Sequence, residues 1–202
     1  MALPKGYETP DGLRLLEILK ITPIEELSEK WPHLSDSDYA AVGMLIVLFS
    51  YIELNLRRLV EACEHAGLLQ EPYKGRVKRL HIGEVEKVAQ SMFSWPEPFL
   101  NGLKKMVTLR ELRNLVAHFS IRRFPSDNAF VFIAKSDKDF RDQFGREPEP
   151  GGLLTVILEA PSFFRAVAEV AQLQEVLARK TAETIAQWAP LIEANLNMPK
   201  DS

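Results

Sequence analysis

The chain has 202 residues, 46% hydrophobic and 26% charged, with a net charge of −3. That is ordinary globular composition and enough length to bury a substantial core, so disordered and collagen-like classes are excluded. Cys63 is the only cysteine, which rules out an intramolecular disulfide and argues against a cysteine-built metal cage.

In chain order, residues 1–34 predict short helical pieces, 12–20 and 23–29, separated by Pro and Gly signals. Ser35-Asp-Ser-Asp38 is a dense N-cap signal that launches a long helix to about Glu64. Its apolar positions Ala41, Met44, Leu45, Leu48, Ile52, Leu56, Leu59, Val60 and Cys63 recur at helical spacing, and Gly67 ends it. The longest unbroken apolar run, Met44 to Phe49, is far short of the roughly 20 residues that span a bilayer. No signal-peptide pattern opens the chain, so the expectation is a cytoplasmic protein with no membrane partner.

A basic connection, residues 74–79, leads to a shorter helix near 82–93, and Trp95-Pro-Glu-Pro98 precedes a helix over about 98–119. Ala129-Phe-Val-Phe-Ile-Ala134 and Leu153-Leu-Thr-Val-Ile-Leu158 are β-branched and aromatic enough to predict strands. They read as a long hairpin over 129–158, with a third short strand expected near 140–144. A last long helix follows from Ala160-Pro-Ser162 to about Trp188, with Phe164, Val167, Ala171, Leu177, Ile185 and Trp188 on its inner face. The expected fold is mainly α: a helical bundle over 35–190 carrying an inserted hairpin, with 191–202 as a C-terminal tail.

Charge is unevenly spread. Residues 57–123 hold 13 Lys and Arg against 7 Asp and Glu, whereas both flanks are acidic. That basic third also contains Arg113-Asn-Leu-Val-Ala-His118. Advancing 100° per residue, Leu109, Leu112, Leu115, Val116 and Phe119 form one buried stripe. Arg113 falls at its margin, Asn114 and His118 share a face one turn apart, and small Ala117 lies in the gap. An Arg beside a His is what metal-free phosphodiester chemistry needs: a fixed cation for phosphate and a group that moves protons near neutral pH. The helix dipole favours positive charge at His118, while Arg122 and Arg123 crowd the same end and oppose it. The same three residues also suit ordinary capping and solvated surface.

Arg113-Asn-Leu-Val-Ala-His118 resembles the R-x4-6-H signature of the HEPN superfamily, including the polar residue directly after the Arg. The resemblance implies a bundle of four or five helices with the motif on a late helix, often paired as a homodimer. It covers about residues 36–190 in helix order, although the hairpin has no counterpart in the family core. Many members resemble metal-independent endoribonucleases of toxin–antitoxin and phage-defence systems, and others only bind RNA or nucleotides. By position, His118 is then the proton-transferring group, Arg113 stabilises charge on the phosphate, and Asn114 orients one of them. Glu53, on the earlier long helix, is the expected acidic support for Arg113, with an i,i+4 surface pair to Arg57 as the alternative. The implied reaction is 2′-hydroxyl attack on RNA without a cofactor, and the implied partners are RNA, a second copy of the chain and an antitoxin. The alternative within the same fold is a non-catalytic RNA- or nucleotide-binding or dimeric interaction module.

Arg57, Lys78, Arg79, Arg110, Arg122 and Arg123 are the candidate RNA-backbone contacts. The four histidines, at 33, 65, 81 and 118, form no H-E-x-x-H and no i,i+4 pair, so no metal is expected. Gly151-Gly152 lacks the context of a phosphate loop, and Cys63 reads as a small core residue.

Overall fold

The computed structural model describes residues 3–4, 6–21, 31–92, 95–124, 127–134, 136–145, 147 and 155–197, excepting the side chains of 142–144. The helices are α1 (Pro10–Ile21), α2 (Asp36–His65), α3 (Ile82–Met92), α4 (Glu97–His118), α5 (Asp137–Phe144) and α6 (Ala160–Leu196), with a 3-10 turn at Val77–Arg79. The strands are β1 (Ser120–Arg123), β2 (Ala129–Ile133) and β3 (Thr155–Glu159), joined as one antiparallel sheet in the order β1-β2-β3. The protein is thus mainly helical with one small sheet. It divides into two compact units, Met1–Val47 with Met106–Val170, and Leu48–Lys105 with Ala171–Ser202.

The first unit is built round the sheet. Ala129-Phe-Val-Phe-Ile133 does not alternate because β2 is covered on both faces. Ala129, Val131 and Ile157 pack with Leu15 and Leu19 of α1 and with Trp31 and Phe124. On the other face Phe130 meets Phe163 of α6 edge-on, with ring centroids 5.0 Å apart. Strand register pairs Arg123 with Phe130 and Ala129 with Glu159. The start of α2 is a reciprocal cap: the Asp38 N–H donates to Ser35 Oγ at 3.3 Å, and the Ser35 N–H donates to Asp38 Oδ2 at 2.9 Å.

In the second unit α2 buries Ile52, Leu56, Leu59, Val60 and Cys63, α3 buries Val85, Val88 and Ala89, and α6 buries Leu173 and Leu177. A Cβ built at Gly102 lies 3.0 Å from a Leu173 methyl, so α4 and α6 approach closely there. Gly67, at φ +74°, takes the left-handed conformation that stops α2.

Several expectations need correction. The third strand is not near 140–144; that segment is α5, capped by the Ser136 hydroxyl on the Asp139 N–H and closed by Gly145 at φ 64°. The third strand is Ser120–Arg123, immediately after the motif helix. On α6 the inward ring is Phe163 and not Phe164, which is exposed. The helix also runs past Trp188 through Pro190 to Leu196, so 191–196 are helical and not tail. Helix α2, 30 residues with an 18-residue stretch of mean hydropathy 1.7, is long and apolar enough to cross a membrane by length and composition. The core helix of a soluble protein passes the same test. The predicted helix over 23–29 and the start of the predicted strand at 153 lie outside the described residues.

Candidate functional site

Helix α4 buries Leu103, Met106, Leu109, Leu112 and Leu115 at three-residue steps. Each step advances 300°, so the buried face retreats round the helix by about 60° per step. In the last two turns the core side is held by Leu112, Leu115 and Val116, with Phe119 just beyond. Arg113 and Asn114 are half-buried there, while Ala117 and His118 are exposed. Helical geometry separates Arg113 from His118 by about 7.5 Å of rise and about 140° of turn, and puts Asn114 one turn before His118 on the same side.

His118 is the last helical residue. The Phe119 N–H reaches the Leu115 carbonyl at 2.9 Å, the Phe119 ring is buried, and β1 starts at Ser120. An anchor and a strand therefore follow the imidazole at once and fix where the helix ends.

Arg123, expected to contact RNA, serves the fold instead. Its Nε donates to Asp38 Oδ2 at 2.9 Å, its Nη2 to Asp38 Oδ1, and its Nη1 to Asn128 Oδ1 at 2.8 Å. The guanidinium also lies 4.3 Å from the centroid of the Phe130 ring, its cross-strand neighbour. All three guanidinium nitrogens are engaged, and they tie β1 to the start of α2. Burial pushes the Asp38 carboxyl up, but the bonds from Arg123 and from Ser35 outweigh it and hold the group below its ordinary value.

Arg122 behaves differently. Its Nη1 stands 2.8 Å from His33 Nδ1. A guanidinium can only donate, so Nδ1 accepts and Nε2 carries the ring proton. His33 was not singled out in the sequence, where nothing but its place before the Ser35 cap marks it. Arg110 is half-buried on α4.

The remaining candidates lie in the other unit. Glu53 is half-buried on α2, and Arg57 donates from Nη1 to the Leu80 carbonyl at 3.2 Å. Lys78 and Arg79 are exposed on the 3-10 turn. The first unit thus holds Arg110, Arg113, Asn114, His118, Arg122 and Arg123; Glu53, Arg57, Lys78 and Arg79 belong to the second.

An open cleft of about 500 Å³ also lies in the first unit, lined by residues that include Arg14, Asp127, Glu159 and Ser162. Arg14 donates to Asp127 at 3.0 Å, and Thr9 and Ser162 donate to Glu159 at 3.3 and 2.9 Å. These polar groups satisfy one another. Among the described residues no three His, Cys, Asp or Glu side chains are grouped to hold a metal ion.

Chemically, the end of α4 offers an exposed imidazole for proton transfer, a guanidinium that suits a phosphate, and an amide that can orient either. No known protein family, curated protein or solved structure matches the chain.

Proposed function

We propose that the chain is a metal-independent endoribonuclease of HEPN type, a toxin or phage-defence effector acting as a homodimer. The observation that carries this reading is the end of α4, where His118 is exposed while Arg113 and Asn114 sit half-buried beside it. Imidazole chemistry needs access to substrate, and a partly buried guanidinium is held in place and less hydrated, so it binds phosphate more strongly.

In the proposed step His118 removes the proton from an RNA 2′-hydroxyl. The 2′-oxygen forms a bond to phosphorus and the bond to the 5′-oxygen breaks, with that oxygen taking up a proton from solvent. The products are a 2′,3′-cyclic phosphate and a 5′-hydroxyl. Arg113 compensates the charge that builds on the phosphate oxygens, and Asn114 orients the imidazole or the phosphate. Arg110 and Arg122 supply backbone contacts on the same unit.

Wild type, His118→Ala and Arg113→Ala would be incubated with structured RNA in EDTA, with product ends identified by phosphatase sensitivity. Wild type is expected to leave cyclic phosphate ends, and each variant to cut at least about 100-fold more slowly while keeping its circular dichroism spectrum. Cleavage unchanged in His118→Ala overturns the assignment. Binding of RNA by wild type without any cleavage points to the non-catalytic module of the same fold.

A further inference from the structure

Arg122 and Arg123 are neighbours on β1, and the fold treats them in opposite ways. Asp38 takes two nitrogens of the Arg123 guanidinium and Asn128 takes the third. Arg122 bonds through Nη1 to His33 Nδ1 at 2.8 Å, and among the described residues its Nε and Nη2 donate to no other group. An imidazole bears no negative charge in either protonation state. The bond therefore orients the Arg122 guanidinium without setting a negative charge against an incoming phosphate. The Nε–Nη2 edge stays available for the paired hydrogen bonds that a guanidinium makes to a phosphate.

His33 is itself fixed by the fold. Residues 31–33 run along the outer edge of β1 in the opposite direction, with three contacts in succession. The Trp31 ring meets the Phe124 ring at 5.6 Å, the Pro32 carbonyl accepts the Arg123 N–H at 3.3 Å, and His33 meets Arg122. Trp31 and Leu34 are buried on either side of His33, and the Ser35 cap of α2 follows. The exposed imidazole is thus carried by backbone anchored before and after it. Arg122 is half-buried and is held at its own place on β1, four residues beyond His118. Four residues span at most about 14 Å, so a phosphate on Arg122 is close to one at His118 but distinct from it. All of these residues belong to the first unit.

We infer that Arg122 binds an RNA phosphate next to the scissile one, and that His33 is the positioning residue that holds the guanidinium for it. This subsite rests on the nuclease reading of the end of α4 and adds to it. A flexible arginine loses side-chain freedom when it binds, and the bond to His33 removes much of that freedom before substrate arrives. The flanking phosphate carries the same charge before and during cleavage, so the subsite strengthens binding without speeding the bond-breaking step. A substrate with a single phosphate cannot use it.

The test compares steady-state cleavage of two substrates. One is a dinucleoside monophosphate, whose single phosphate is the scissile one; the other is a tetranucleotide with one ribose, placed so that only its central phosphate is cut. On the tetranucleotide, Arg122→Ala is expected to raise KM about 10- to 100-fold, as loss of hydrogen bonds to a charged group does. His33→Leu is expected to raise it about three- to tenfold, and both variants keep kcat. On the dinucleoside monophosphate both match wild type. His33→Asn, whose Oδ1 replaces the Nδ1 acceptor, is expected to restore the wild-type KM, and His33→Leu to have no effect in an Arg122→Ala background. Equal losses on the two substrates overturn the inference, as does a fall in kcat in place of the rise in KM. A His33→Leu effect that survives Arg122→Ala also overturns it. Binding of an uncleavable 2′-O-methyl tetranucleotide, read by fluorescence anisotropy, separates this inference from the nuclease reading. Cleavage that needs His118 without an Arg122–His33 coupling in binding removes the subsite alone. The coupling in binding with cleavage indifferent to His118→Ala removes the chemistry and leaves the phosphate site, and a wild type that binds no RNA overturns both.

Discussion

Replacing Asp38 with alanine strands the Arg123 guanidinium beside the buried start of α2, and the cost can be worked from the structure. Asp38 is 1% exposed and Arg123 22% exposed. Removing one partner of a buried pair costs about 3–5 kcal/mol, and the low end applies because Arg123 keeps a route to water. The Ser35 N–H also loses its carboxylate acceptor, which adds about 1 kcal/mol. The total is about 4 kcal/mol, or roughly 8–16 °C in Tm for a chain of this length. Arg123→Ala leaves the carboxylate buried and loses the stacking on Phe130, so a comparable loss of about 3–4 kcal/mol is expected. The double variant separates the pair from the cap: the lost cap stays in the Asp38 arm, while the pair itself appears as a coupling of about 2–3 kcal/mol. Urea denaturation of the four proteins, read with a constant m-value, measures it. A coupling below about 0.5 kcal/mol would refute the reasoning, because that is the range of exposed pairs.

Two further outcomes follow from ionisation. The Asp38 carboxyl is held below its ordinary value of 3.8, so its contribution to stability is present above that pH and is lost as pH falls through the folded value. The stability gap between wild type and Asp38→Asn is therefore expected to be full at pH 5–7 and to narrow steadily below pH 4 in chemical melts; a gap independent of pH contradicts the assigned bonds. The Cys63 thiol is pushed up to about 11, first by burial and then by Glu64. In the folded protein it should react with a disulfide reagent at pH 8 only as fast as the protein opens, and at once in denaturant. Its raised value favours the folded state below the ordinary 9.0 and ceases to do so as pH climbs through 11.

Much of the helical frame could be read from the sequence because its signals are local. The Ser35–Asp38 box and Gly67 bound α2 as expected, and 3/4 spacing identified most of its buried residues, but Met44 is exposed, Leu48 is half-buried and Phe49, outside that set, is buried. The pairing of β2 with β3 was legible from their β-branched and aromatic content. What escaped depends on contacts remote in sequence. Ser-Ile-Arg-Arg is four residues with two charges and has no strand signal of its own; it becomes β1 because Arg123 finds Asp38 85 residues earlier and Phe130 on the next strand. Adjacent Phe163 and Phe164 are equivalent to a periodicity argument until the sheet chooses one of them. The segment at 137–144 is helical because Ser136 caps its start and Gly145 closes its end, local signals that outweigh the strand-like Phe140 and Phe144.

The same logic separates the arginines near the motif. As a list, Arg110, Arg113, Arg122 and Arg123 form one basic cluster, and composition assigns them one purpose. In the folded chain they differ in what they can offer an anion. Arg123 has spent its donors on Asp38 and Asn128, so its charge is neutralised where it stands. Arg122 donates from Nη1 to His33 Nδ1 at 2.8 Å. Arg113 keeps a half-buried place one residue before Asn114 and five before His118. The four arginines are therefore not one cluster with one purpose: Arg123 belongs to the fold, whereas Arg113 lies before the exposed imidazole along the chain and Arg122 after it.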